Sequence, residues 1–130
     1  MILTVGVIPV AFYFPDAKPL FYDETVCEKL DFVSVHLYPK TGEVEKALKG
    51  LSFYEIGKPL IVEEIFPLEY TTADLDSFVA QSGKYTDGWI GFYWGATLQD
   101  NRRNKAASPY MIPWLEYFKK KSSELITAAP

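Results

Sequence analysis

The chain has 130 residues, 48% of them hydrophobic and 23% charged, with a formal net charge of −4. That length and composition fit one globular domain. The acidic balance argues against a nucleic-acid partner, which needs a basic face for phosphate. No run of about 18 apolar residues is present, which argues against a membrane partner. Cys27 is the single cysteine, so an internal disulfide is excluded. Met1-Ile2-Leu3-Thr4-Val5 lacks the basic start of a signal peptide, and a soluble chain of unassigned compartment is expected.

Ile2–Ile8 reads as a first strand, with Leu3, Val5 and Val7 on the face a helix would cover and Thr4 and Gly6 opposite. Pro9–Tyr22 reads as a long loop. Asp23 is placed to cap a short helix through Val26 and Leu30, with Cys27 as a buried thiol. Phe32–Tyr38 is the second strand. Val33, Val35 and Leu37 share its aliphatic face, while Ser34, His36 and Tyr38 share the polar one. Thr41 precedes Val44, Ala47, Leu48 and Leu51 at helical spacing.

Leu60–Ile65 forms a third strand, and Thr71-Thr72-Ala73-Asp74 is a capping-box-like start for a helix with Leu75, Phe78 and Val79 on one face. Trp89–Trp94 is the fourth strand, and Leu98–Ala107 reads as a polar loop. Ser108-Pro109 opens a last helix whose apolar stripe is Met111, Trp114, Leu115, Phe118 and Leu125. Nearly equal intervals separate the strands, each long enough for a crossover helix. The expectation is an α/β fold of four parallel βα units in a single domain, residues 1–130.

Polar residues gather at the C-terminal ends of these strands. Glu63 and Glu64 close an otherwise apolar run, where a carboxylate is costly unless solvated, paired or used. A solvated strand end is the plain alternative to a site. Neighbours in a regular strand point to opposite faces, so one of the two glutamates is expected to serve a site. His36 is the only histidine and cannot hold zinc without three more ligands, so no metal is expected. No glycine-rich phosphate cradle suggests a cofactor. Trp89 and Trp114 read as packing residues; Arg102-Arg103 and Lys119–Lys121 read as solvated.

Lys58-Pro59-Leu60-Ile61-Val62-Glu63-Glu64 resembles the seventh barrel strand of the large clan of retaining glycoside hydrolases (clan A) that includes the family 5 cellulases. Ser34-Val35-His36-Leu37-Tyr38-Pro39 is similar to the sixth strand of that clan, Gly88–Gly95 to the eighth, and Ile2–Gly6 stands where the fifth would be. The resemblance implies the C-terminal half of a (β/α)8 TIM barrel. It implies Glu64 as the catalytic nucleophile, Tyr38 as the residue that orients it, and His36 and Trp94 as contacts to a carbohydrate substrate. Two departures stand out. Ile65-Phe66-Pro67 follows Glu64 where Phe-Gly is common, and no Asn-Glu pair is present, whose glutamate is the general acid/base of the clan. Asp16, Glu69 and Asp100 are the other carboxylates in candidate active-face loops.

General acid assistance is worth about 10²–10⁴-fold, so the chain alone is expected to show no appreciable glycosidase turnover. The alternative is a carbohydrate-binding or structural half-barrel module without catalysis. An open sheet face also predicts a homodimer or higher homo-oligomer that buries Leu60, Val62, Ile90 and Phe92 between chains.

Overall fold

A computed structural model of the chain describes residues 1–14, 22, 24–65, 70–91, 95–104 and 108–128. Asp16, Asp23, Glu69, Phe92 and Trp94 lie outside the described residues. The described chain falls into two compact units, Met1–Phe92 and Tyr93–Pro130.

The first unit carries β1 (Gly6–Val7), α1 (Val10–Tyr13), α2 (Glu24–Glu28), β2 (Val33–His36), α3 (Val44–Ser52), β3 (Leu60–Ile65), α4 (Thr72–Ser82) and β4 (Gly88–Gly91). The strands make one parallel sheet in the order β1-β2-β3-β4. This is an α/β fold in which helix separates each strand from the next and successive strands pair side by side. The run Leu60–Ile65 is a strand from end to end, while β1 and β2 are shorter than their apolar runs.

The aliphatic residues of β2 behave as their alternation predicts: Val33, Val35 and the following Leu37 are wholly buried. Ala47, Leu48 and Leu51 of α3 and Leu75 and Phe78 of α4 belong to the same core. Leu60 and Val62, expected on an open face, are core residues as well, each with no exposed surface. Burying such side chains contributes about 1.5–3 kcal/mol each. Neither is available to an interface between chains, which corrects that part of the association surface; Ile90 does remain exposed.

The first apolar run is also corrected. Only Gly6 and Val7 pair with β2, and Leu3 and Val5 are exposed rather than covered by helix. β1 is an edge strand, followed by a helix of a single turn, Val10–Tyr13, inside the stretch expected to be loop.

Side chains complete the ladder where backbone pairing ends. Asp31 and Asp87 precede β2 and β4 and act alike. The Asp31 amide donates to the Leu3 carbonyl (2.9 Å) while its Oδ2 accepts from the Leu3 amide (2.6 Å). The Asp87 amide donates to the Leu60 carbonyl (2.8 Å), and its Oδ2 accepts from the Leu60 amide (3.0 Å). Between β1 and β2 the buried Tyr22 hydroxyl replaces a rung. It accepts from the Ser34 amide (3.1 Å) and reaches the carbonyls of Ser34 (2.8 Å) and Val5. Thr71 caps α4 as its sequence suggests, its Oγ1 accepting from the Asp74 amide at 3.0 Å.

The second unit carries α5 (Leu98–Arg103) and α6 (Ser108–Ala128), packed on one another. The expected loop from Leu98 is therefore helical over its first six residues. Its start is a capping box: Thr97 Oγ1 accepts from the Asp100 amide (3.1 Å), and Asp100 Oδ2 accepts from the Thr97 amide (3.0 Å). The Thr97 hydroxyl, donating to the same Oδ2 at 2.6 Å, and then the Thr97 amide hold the Asp100 carboxyl below its usual range. Trp114 is buried and packs edge-on against Phe118 at 5.3 Å between ring centroids. Arg102 is not purely solvated, since it pairs with Glu116 at 2.9 Å on the surface.

Candidate active site

The site is built where β2 and β3 end. Pairing runs in step from Val33↔Leu60 to Val35↔Val62, and then His36 pairs with Glu64. Glu63 is the additional residue, a β-bulge in β3. Its consequence is visible in burial: Leu60 and Val62 are buried, Ile61, Glu63 and Glu64 are partly open, and Ile65 is buried again. The period of two is broken by one residue, so Glu63 and Glu64 do not diverge to opposite faces. Both turn toward His36.

His36 Nε2 lies 2.7 Å from Glu63 Oε1, and His36 Nδ1 lies 3.3 Å from Glu64 Oε2. The Tyr38 hydroxyl donates to the same Oε2 of Glu64. One imidazole thus stands between two carboxylates, and the second carboxylate also receives a phenol. The side chains of His36, Glu63 and Glu64 are about a quarter exposed, so the cluster is reachable from solvent. Burial first, and then the hydrogen bond to the Glu64 carboxylate, push the Tyr38 phenol well above its ordinary value. At neutral pH Tyr38 is therefore a fixed donor.

On the β1 side the cluster rests on Gly6. A Cβ at that position would overlap Glu63 Oε1 and His36 Nε2. Gly6 pairs with Ser34, two residues before His36, and the missing side chain is what lets the histidine and Glu63 meet over β1. Here glycine serves close approach rather than an unusual backbone angle.

Of the residues proposed from sequence, the structure brings Glu64, Tyr38 and His36 together. Trp94 lies outside the described residues. Glu63, assigned to the opposite face by simple alternation, belongs to the cluster. A signal for it exists in the apolar spacing. If Leu60, Val62 and Ile65 are all core residues, the step of three between the last two requires one extra residue in the strand. Gly6 left no signal, because nothing in the sequence places it beside His36.

Chemically, the arrangement offers a carboxylate oriented by a phenol and an imidazole, on the solvent-reachable side of a parallel sheet at its C-terminal edge. Such a group can attack an electrophilic carbon or stabilise a developing cation. Among the described residues no group of three or more His, Cys, Asp and Glu is arranged to hold a metal ion. No helix among them is long and apolar enough to cross a membrane. Compared with protein-family models, with curated proteins and with solved structures, the chain matches none.

Proposed function

We propose that this chain is the C-terminal half of a (β/α)8-barrel retaining β-glycoside hydrolase of the cellulase type, with Glu64 as nucleophile. The observation that carries the reading is the Tyr38–Glu64–His36 contact at the C-terminal ends of two adjacent parallel strands. Barrel enzymes place their chemistry at that end of the strands. In the complete site Glu64 attacks the anomeric carbon, forming a glycosyl-enzyme bond as the leaving oxygen departs. A carboxylic acid supplied from outside this chain's described cluster protonates that oxygen and later activates water. Tyr38 holds the attacking oxygen in place through its retained proton, Trp94 is assigned to the carbohydrate, and His36, expected there too, has its two nitrogens turned to Glu63 and Glu64. The other half of the barrel, in the same polypeptide or from a second copy of the chain, covers the open side of the sheet.

The test needs no general acid. A 2-deoxy-2-fluoro β-glycoside with a dinitrophenolate leaving group departs unprotonated, and the fluorine slows release of the covalent adduct. The expected result is a mass increase of one fluoroglycosyl group on the peptide containing Glu64, absent in Glu64→Gln. A label on Glu63, or none on the wild-type chain, would overturn the assignment.

A further inference from the structure

We propose that Glu63 is a positioning residue: its carboxylate fixes the ring of His36 so that the Nδ1 edge faces Glu64. The functional unit is then Glu63–His36–Glu64–Tyr38 rather than Glu64 and its phenol alone. The bulge is the first support. It inserts Glu63 at the one point where an extra residue turns two neighbouring carboxylates toward the same imidazole. The second is the asymmetry of the two contacts, 2.7 Å to Glu63 and 3.3 Å to Glu64. The shorter one has the length of a charge-assisted N–H···O⁻ bond. An ionised carboxylate offers only acceptors, so the proton in that bond belongs to Nε2. The third is Gly6, whose lack of a side chain leaves the space in which this bond forms.

A histidine held at one nitrogen presents its other nitrogen in a defined direction, which is how a carboxylate behind an imidazole sets its aim; Nδ1 donates to Glu64 when it too carries a proton. Glu63 does this from the same strand as the group that His36 addresses. The consequence for glycosyl transfer rests on the proposed role of Glu64; the positioning of His36 does not.

The experiment uses the whole chain, and His36 as the only histidine makes its imidazole spectrum unambiguous. Imidazole ¹⁵N shifts and the solvent exchange of the Hε2 proton are recorded at neutral pH for wild type, Glu63→Gln and Glu63→Ala. The expected wild-type spectrum has Nε2 protonated and Hε2 in slow exchange. Exchange should quicken about tenfold in Glu63→Gln, whose neutral amide accepts more weakly, and further in Glu63→Ala. The isosteric Glu63→Gln keeps the question answerable if the truncation unfolds. Spectra indistinguishable between wild type and Glu63→Gln, with Nε2 unprotonated in both, would overturn the positioning.

Labelling by the fluoroglycoside provides the second arm. The rate should fall about tenfold or more in Glu63→Gln at unchanged thermal stability, the usual scale for losing a group that orients a reactive one. Unchanged labelling beside a changed spectrum would overturn the link to chemistry. Absence of labelling in wild type would refute the nucleophile and leave the spectrum as the test of Glu63.

Discussion

Two buried tyrosines, alike in sequence, should respond in opposite ways to the same substitution. The Tyr22 hydroxyl accepts from the Ser34 amide and reaches two strand carbonyls, standing in for a rung between β1 and β2. The Tyr70 hydroxyl is buried with no hydrogen-bond partner among the described residues. Tyr22→Phe keeps the ring but leaves the Ser34 amide unpaired in a buried place, at a cost of about 1–3 kcal/mol. The carbonyls, which tolerate under-satisfaction better, bring the total to about 2–3 kcal/mol. For a chain of this size that is a fall in Tm of about 6–15 °C. Tyr70→Phe removes a hydroxyl whose desolvation is uncompensated, so stability should hold or rise by about 1 kcal/mol. Paired thermal melts followed by far-UV circular dichroism would measure both. Equal losses in the two variants would refute the assignment of Tyr22 as a rung and of Tyr70 as unpartnered.

Gly6→Val should displace Glu63 and His36 from one another, because its side chain enters the space they share; the His36 imidazole spectrum should then approach that of Glu63→Ala, and an unaltered spectrum would contradict the close approach. In alkali, the phenols of Tyr13, Tyr22, Tyr38 and Tyr70 are all raised, chiefly by burial. Their contribution to stability is full below the unfolded value of about 10 and is lost as pH climbs from there through the folded values. Phenolate absorbance should show these four resisting ionisation above pH of about 10 until the chain unfolds, whereas all nine tyrosines ionising together near that pH in the folded protein would refute it. Ile90 on β4 and Ile2, Leu3, Val5 and Ile8 at the β1 edge are exposed apolar residues. Sedimentation at micromolar concentration should therefore show a dimer or higher oligomer that Ile90→Glu weakens; a stable folded monomer would count against association.

Local pattern alone determined much of this protein. The alternation in Val33–Tyr38 separated a buried aliphatic face from a polar one bearing His36 and Tyr38, because successive side chains of a strand leave on opposite sides. Even spacing of the apolar runs announced parallel βα units, and Thr71 with Asp74 marked the start of α4. The box of Thr97 and Asp100 was equally legible by that rule, yet the polarity of the segment read as loop; capping chemistry outweighs mean polarity in setting a helix start. What the sequence did not decide was the phase of β3. Alternation assumes that each residue of a strand meets one residue of its neighbour, and a bulge breaks that count through pairing with another strand. Only the register between β2 and β3 could turn Glu63 toward His36 and carry Leu60 and Val62 into the core. Gly6 shows the same limit, since its use depends on two side chains brought over it from residues 30 and 57 positions away in the chain. Periodicity is a property of one segment, whereas the site is a property of three strands held side by side.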